Sequence, residues 1–230
     1  MTAPFVTVFA LFDDLTQLDF TGPWEVLSRL PDSETIVASV AGGEVRAQGG
    51  LSFAGTQRLA DIPRCDLICV PGGPGTAAAM LDQDFIGELR RLADGARFVT
   101  SVCTGSLVLG AAGLLEGKRA ACHWASRQFL EAFGAIATDE RVTRDGPIIT
   151  GGGVTAGIDF GLAVFAEIAG REAAEFTQLA LEYAPAPPFA AGDPATAPPA
   201  IVERYRAVTG DWTESRRRAV ESAARNRPAL

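Results

Sequence analysis

The chain has 230 residues, 47% of them hydrophobic, and a formal net charge of −8. That length and apolar fraction suffice for a sizeable core, and no run approaches the roughly 18 consecutive apolar residues of a membrane-crossing helix. The acidic balance argues against nucleic acid as a partner, because phosphate binding needs clustered Lys and Arg; the one basic run, Arg216-Arg217-Arg218, reads as a solvated helix face beside Glu214 and Glu221.

Short β-branched runs alternate with longer helical patterns. Phe5 to Phe12 is predicted as the first strand. The segment Met1 to Leu11 lacks a basic n-region and a small-residue cleavage site, so a strand is expected there rather than a signal peptide, and the cytoplasm is the expected location. Thr21 to Arg29 is predicted as a helix, with Thr21 as its cap and Pro23 in its first turn. Thr35 to Val40 is the second strand, and the Gly-rich stretch Gly42 to Phe53 reads as a hairpin. The apolar strand Leu67 to Val70 ends at Pro71-Gly72-Gly73, and Phe85 to Asp94 is an amphipathic helix. The strand Phe98 to Val102 ends at Cys103, and a helix over Ser106 to Ala112 follows. Then come a strand at Arg119 to Cys122, a helix at Ala125 to Phe133, a strand at Ile148 to Thr150 and a helix at Thr155 to Ala169.

This βαβα order predicts an α/β fold, a mostly parallel sheet with helices on both faces. No repeat or composition shift marks a boundary, so residues 1–230 read as a single domain. Its exception is residues 183–199, which hold Pro185, Pro187, Pro188, Pro194, Pro198 and Pro199 together with Tyr183 and Phe189. The large apolar side chains favour an extended Pro-rich arm, packed on the domain or on a partner subunit, over a free linker. A C-terminal helical tail follows it.

None of the four cysteines forms a CxxC pair, and with a single histidine there is no zinc-site spacing. Cys69 and Cys122 lie in apolar strand-like runs and read as small buried hydrophobes; Cys65 reads as a turn residue before a strand. Cys103 is different. In Thr100-Ser101-Val102-Cys103-Thr104-Gly105-Ser106 it falls between a buried strand and a helix, flanked by small residues that relieve crowding on a sharp turn. That is the logic of a nucleophile elbow, without the GxSxG pattern itself. The positive end of the following helix is expected to lower the thiol pKa, and amides at the elbow can stabilise developing negative charge. The bland alternative is a buried strand-end cysteine.

Open α/β sheets place their sites at the carboxyl ends of the strands, where two further features fall. Asp19 follows the first strand in Gln17-Leu18-Asp19-Phe20-Thr21-Gly22-Pro23, as a proton carrier or as a helix cap. Gly72 and Gly73 follow the strand Leu67 to Val70, as a tight turn or as amide donors; Gly73 is the expected donor beside Cys103. His123 ends the strand Arg119 to Cys122, where the sheet edge could bring it near Cys103. Because Asp19 offers a proton carrier and the helix amides favour thiolate, a required catalytic role for His123 is not expected.

The elbow Thr100 to Ser106, the strand end Val70-Pro71-Gly72-Gly73-Pro74-Gly75 and the run Gly151 to Asp159 resemble the DJ-1/PfpI superfamily. More narrowly, Gln17 to Pro23, Val99 to Lys118, His123-Trp124-Ala125 and Leu181 to Phe189 resemble its isonitrile hydratase (isocyanide hydratase) group. The resemblance runs from Gln17 to about Phe189. It implies a flavodoxin-like sheet, a homodimer, and a site with no cofactor and no metal that hydrates a small-molecule isonitrile, R–N≡C, to an N-substituted formamide. It makes Cys103 the nucleophile, Asp19 the essential acid and Thr104 the hydroxyl residue after the nucleophile. Thr104 and, from its place at the strand end, Gly73 are the groups expected to bind substrate or oxyanion. Some PfpI-type members carry His directly after the nucleophile; Thr104 stands there in this chain, which speaks against peptidase chemistry. The rival readings are a glyoxalase-like enzyme and a DJ-1-like redox sensor or chaperone, signalling through oxidation of Cys103 to the sulfinic acid. AraC-type regulators carry a similar domain beside a basic helix-turn-helix module; this chain, with Lys118 its one lysine, is not expected to have room for that module beyond the arm and tail.

Overall fold

The computed structural model describes residues 3–227. Its strands are β1 (Phe5–Ala10), β2 (Ser33–Ser39), β3 (Gly43–Arg46), β4 (Ser52–Arg58), β5 (Leu67–Val70), β6 (Phe98–Val102), β7 (Arg119–Ala120), β8 (Ile136–Ala137), β9 (Val142–Asp145) and β10 (Ile148–Gly151). Its helices are α1 (Gln17–Leu27), α2 (Thr76–Ala79), α3 (Gln83–Asp94), α4 (Gly105–Ala111), α5 (Ala156–Ala169), α6 (Arg171–Ala180), α7 (Pro199–Val208) and α8 (Gly210–Asn226).

Eight strands form one sheet in the order β3-β4-β2-β1-β5-β6-β10-β9. The β3–β4 and β9–β10 pairs are antiparallel and the others parallel, so the α/β fold with a mostly parallel sheet is present as expected. Parallel strands buried on both faces need apolar side chains at both parities, and the central strands supply them. Val8, Ile68, Val70 and Val99 face a core shared with Phe85, Leu89, Leu107 and Val220. Phe9, Cys69, Phe98 and Val102 face a second core shared with Phe20, Val26, Phe160 and Val164. The helices α3, α4 and α8 therefore cover one face, and α1 and α5 the other. Local sequence supports them: Asp82 caps α3 by accepting from the Asp84 and Phe85 amides at 3.0 and 3.1 Å, and Phe85, Leu89 and Leu92 form its buried stripe.

Several boundaries differ from expectation. The strand β1 stops at Ala10, and α1 starts at Gln17 rather than Thr21, which places Asp19 inside the first helical turn. Pro23 lies in the helix interior; Thr21 Oγ1 bonds back to Gln17 rather than capping. The predicted helix Ala125 to Phe133 is a 3-10 segment, Arg127–Phe133. The expected strand Arg119 to Cys122 shortens to β7, which pairs with β8 in a separate two-stranded sheet. Residues 184–198 hold no helix or strand. Tyr183, where this stretch begins, donates from its hydroxyl to Asp159 Oδ2 at 3.0 Å, and Phe189 is exposed. The helix α8 then returns to the body, burying Ala219, Val220 and Ala223.

The chain runs outward from β1 through β2 to β4, then crosses back to β5 on the other side of β1. The gap between the carboxyl ends of β1 and β5 is thus the switch point where open α/β sheets bind ligands.

Candidate active site

Three strand ends converge at this switch point. After β1 the chain leads into α1 and Asp19. After β5 it turns through Gly72 and Gly73. After β6 it reaches Cys103.

Cys103 has φ +60°, one of four described non-glycine residues with positive φ. A left-handed conformation costs an ordinary residue about 1–2 kcal/mol, so the surroundings must hold it. The Cys103 amide donates to Gly151 O at 3.0 Å, tying the elbow to β10. Gly105 lets α4 approach β5: a Cβ there would overlap the carbonyl oxygen of Val70. Gly72 has the same function on the other side, since its Cβ would sit 2.5 Å from Thr104 N and 2.9 Å from Asp19 Oδ2. The elbow is therefore a close contact of three backbone segments that two glycines permit.

Asp19 is completely buried. Its Oδ2 accepts the Gly72 amide at 3.0 Å, whereas Oδ1 has no conventional partner. The polar group beside it is the Cys103 thiol. Burial raises the Asp19 pKa from 3.8 to about 7, against the lowering effects of the thiol and the Gly72 amide. A carboxyl with that pKa exchanges protons readily at neutral pH.

Cys103 is 4% exposed. Its pKa is raised well above 9.0, first by burial and then by the nearby Asp19 charge, with the Thr104 amide acting in the opposite direction. This corrects the expectation of a thiol acidified by the following helix. The helix end is present, but desolvation outweighs it. The resting group is a thiol beside a carboxyl whose pKa is about 7. The other three cysteines are buried, and burial pushes each thiol up to about 12.

Thr104 and Gly73 are placed differently from expectation. The Gly73 amide donates to Thr104 Oγ1 at 3.0 Å, so that amide is already engaged and is not a free donor beside Cys103. Thr104 Oγ1 also pairs with Thr76 Oγ1 at 2.8 Å, and Thr76 Oγ1 lies 2.7 Å from Gly73 O. The Thr104 hydroxyl thus locks the β5 turn, while its backbone amide serves the Cys103 thiol. The Gly72 amide is engaged as well, donating to Asp19 Oδ2, so neither glycine offers a free donor beside Cys103.

His123 follows β7, and Nδ1 accepts the Ala125 amide at 3.3 Å. Burial lowers its pKa from 6.5 to about 4, helped by the charges of Arg216 and Arg127. It is a neutral imidazole at neutral pH.

Two residues near the site escaped the sequence reading, and both come from the tail. Arg216 of α8 turns inward: Nη1 donates to Ser126 Oγ at 2.9 Å and Nη2 lies 3.5 Å from Gly73 O. Only Arg217 and Arg218 form the expected solvated face, pairing with Glu214. Tyr205 of α7 stacks on His123 with ring centroids 6.2 Å apart and lies 4.9 Å from the Trp124 ring. The His-Trp pair in the sequence was the available signal, because two adjacent aromatic rings near a sheet edge need a covering surface.

A profile described as "DJ-1/PfpI family" matches residues 6–167. An isonitrile hydratase of Pseudomonas putida is 48% identical over 216 residues, covering 94% of this chain and 95% of that protein. The HTH-type transcriptional regulator CdhR of Pseudomonas aeruginosa is 36% identical over 140 residues, 60% of this chain and 41% of the regulator. Among solved structures, a ThiJ/PfpI family protein from Pseudomonas syringae superposes with a TM-score of 0.91 at 35% identity, covering 96% of this chain and 90% of that one.

Proposed function

Since this chain belongs to the DJ-1/PfpI family, we infer from its near-full-length identity to an isonitrile hydratase that it is a hydro-lyase, converting R–N≡C and water to an N-substituted formamide. The observation that carries the mechanism is the buried pair of Cys103, on its elbow, and Asp19, whose Oδ1 is unengaged.

Asp19 as carboxylate accepts the Sγ proton, and sulfur attacks the terminal isonitrile carbon. Asp19 returns that proton to the same carbon, giving the thioimidate R–N=CH–S–Cys103. Water then adds at this carbon, Asp19 taking a proton from water and passing it to nitrogen. The intermediate R–NH–CH(OH)–S–Cys103 collapses: the C–S bond breaks, the hydroxyl proton returns to sulfur through Asp19, and R–NH–CHO leaves. Burial favours this chemistry, since an apolar surrounding strengthens the thiol–carboxylate coupling. The Thr104 amide stabilises charge on Sγ. The Thr104 hydroxyl and Gly73 hold the turn that positions Gly72 against Asp19.

The redox-sensor reading fits poorly, because oxidation-prone cysteines are exposed and acidified, and Cys103 is neither. A glyoxalase-like activity is tested beside the main one. The reaction proceeds without a cofactor, in the cytoplasm. The working unit is a homodimer. Phe176 and Leu179, 73% and 79% exposed on α6, support an apolar subunit contact. No described helix is long and apolar enough to cross a membrane. Purified protein mixed with a simple alkyl isonitrile is expected to release the matching formamide, followed by chromatography, with a glyoxal substrate run in parallel. Turnover of the glyoxal alone would replace this reading with the glyoxalase-like one.

A further inference from the structure

The C-terminal tail places an aromatic side chain over the functional edge of the sheet. Tyr205 stacks on His123 with an interplanar angle of 27° and leans on Trp124 at 4.9 Å. Behind this stack lies the site. His123 Cδ2 is 3.5 Å from where a Gly153 Cβ would stand, two residues beyond Gly151, whose carbonyl holds the Cys103 amide. On the other flank, Arg216 of the same tail reaches Ser126 and the carbonyl side of Gly73, whose amide holds Thr104. The tail therefore brackets the elbow from two sides. Burial raises the Tyr205 pKa, and a charge on Cys103 raises it further while Arg216 acts the other way. Its hydroxyl makes no hydrogen bond among the described residues, in contrast to Tyr183, which is tied to Asp159.

We propose that Tyr205, with Trp124 beside it, is a specificity-determining wall of the site: it receives the R group of the isonitrile and favours flat aromatic substituents over small alkyl ones. This rests on the isonitrile reading above. The isonitrile head is small and must point at Cys103, so discrimination among substrates has to come from what meets R. Rings already offset and tilted at 4.9–6.2 Å have faces suited to a third ring, because aromatic faces prefer offset or edge contacts over exact overlap. A neutral His123 suits this wall, since an imidazolium would carry a hydration shell into an apolar contact.

The test compares wild type with Tyr205→Phe and Tyr205→Ala in the full-length chain, after matching melting temperatures show that each is folded. Two readouts are taken. One is kcat/KM for benzyl isonitrile relative to methyl isonitrile. The other is the rate of Cys103 alkylation by N-benzyl iodoacetamide relative to iodoacetamide, read by mass spectrometry of the Cys103 peptide. In alkylation the sulfur–carbon bond forms as iodide leaves, so this readout needs the thiol but no hydratase activity. Tyr205→Ala is expected to lower both ratios by about fivefold, and Tyr205→Phe to keep both within about twofold, because the ring face and not the hydroxyl is the recognition element. Unchanged ratios in Tyr205→Ala overturn the wall. An equal loss in Tyr205→Phe overturns the face in favour of the hydroxyl. If no protein hydrates either isonitrile but the alkylation ratios move as expected, the wall stands and the hydratase reading falls. If neither iodoacetamide reaches Cys103 in wild type, the wall falls.

Discussion

Beyond the burial that raises both pKa values, Cys103 and Asp19 act on each other with opposite sign: the Asp19 charge pushes the thiol pKa further up, while the thiol draws the carboxyl pKa down. The two groups compete for a proton, and they titrate as a coupled pair. In the proposed mechanism nucleophile and base therefore act as one unit, with sulfur giving up its proton as substrate accepts it.

Replacing Cys103 by Ala is expected to abolish formamide production and leave the fold intact. The variant keeps the same strained φ and loses one small buried atom group, so its melting temperature stays within a few degrees of wild type. Retained turnover measured by formamide release would sink covalent catalysis.

Asp19→Asn is expected to cut kcat by about 10²–10⁴-fold, the usual size of a lost acid–base group. Wild-type kcat/KM should rise with pH through about 7, the pKa of Asp19 in its buried setting. Stability runs the other way. The folded protein holds the Asp19 proton more tightly than the unfolded chain, so this contribution is full below the unfolded value of 3.8 and is lost as pH rises through about 7. Asn does not titrate. Its melting-temperature advantage over wild type should therefore grow between about pH 4 and pH 8; a constant difference would mean that Asp19 is ionised throughout.

His123→Asn is expected to keep at least about a tenth of kcat on a small alkyl isonitrile. The imidazole stays neutral down to about pH 4, so it supplies no positive charge to the thiol at neutral pH. The rise of kcat/KM near pH 7 should persist in the variant, since it belongs to Asp19. Loss of that rise together with a collapse of kcat would move the base role to His123.

Gly105→Ala is expected to destabilise the protein by about 2 kcal/mol or more, because its Cβ would overlap the Val70 carbonyl and the backbone would have to move. Gly87→Ala is the control. It lies within α3 with open space around its Cβ, so it should stabilise by about 0.5–1 kcal/mol. Urea melts of the two variants give the comparison.

Deleting residues 184–230 is expected to lower stability, since α8 buries Ala219, Val220 and Ala223 against the body. The same truncation removes Tyr205 and Arg216. An unchanged melt would place the tail outside the folded unit.

The amino-acid sequence alone determined the alternation of strands and helices, because the buried runs Leu67 to Val70 and Phe98 to Val102 and the stripe of α3 are written in local periodicity. It also singled out Cys103, Asp19 and the Gly pair, because strand ends with small or acidic residues are local signals too. Tertiary structure decided what those residues do to one another. The thiol pKa rises because burial is a property of the packed molecule, and no reading of Thr104-Gly105 could weigh it against a helix end. The engagement of the Gly73 amide by Thr104, and of the Gly72 amide by Asp19, follows from β5 lying between β1 and β6. Tyr205 and Arg216 stand 82 and 90 residues from His123 and Ser126 along the chain, a separation that the rings in contact and the 2.9 Å hydrogen bond close. Periodicity reports which face of a helix is apolar, but not which strand end that helix returns to cover; the packing of α8 onto the completed sheet made that choice.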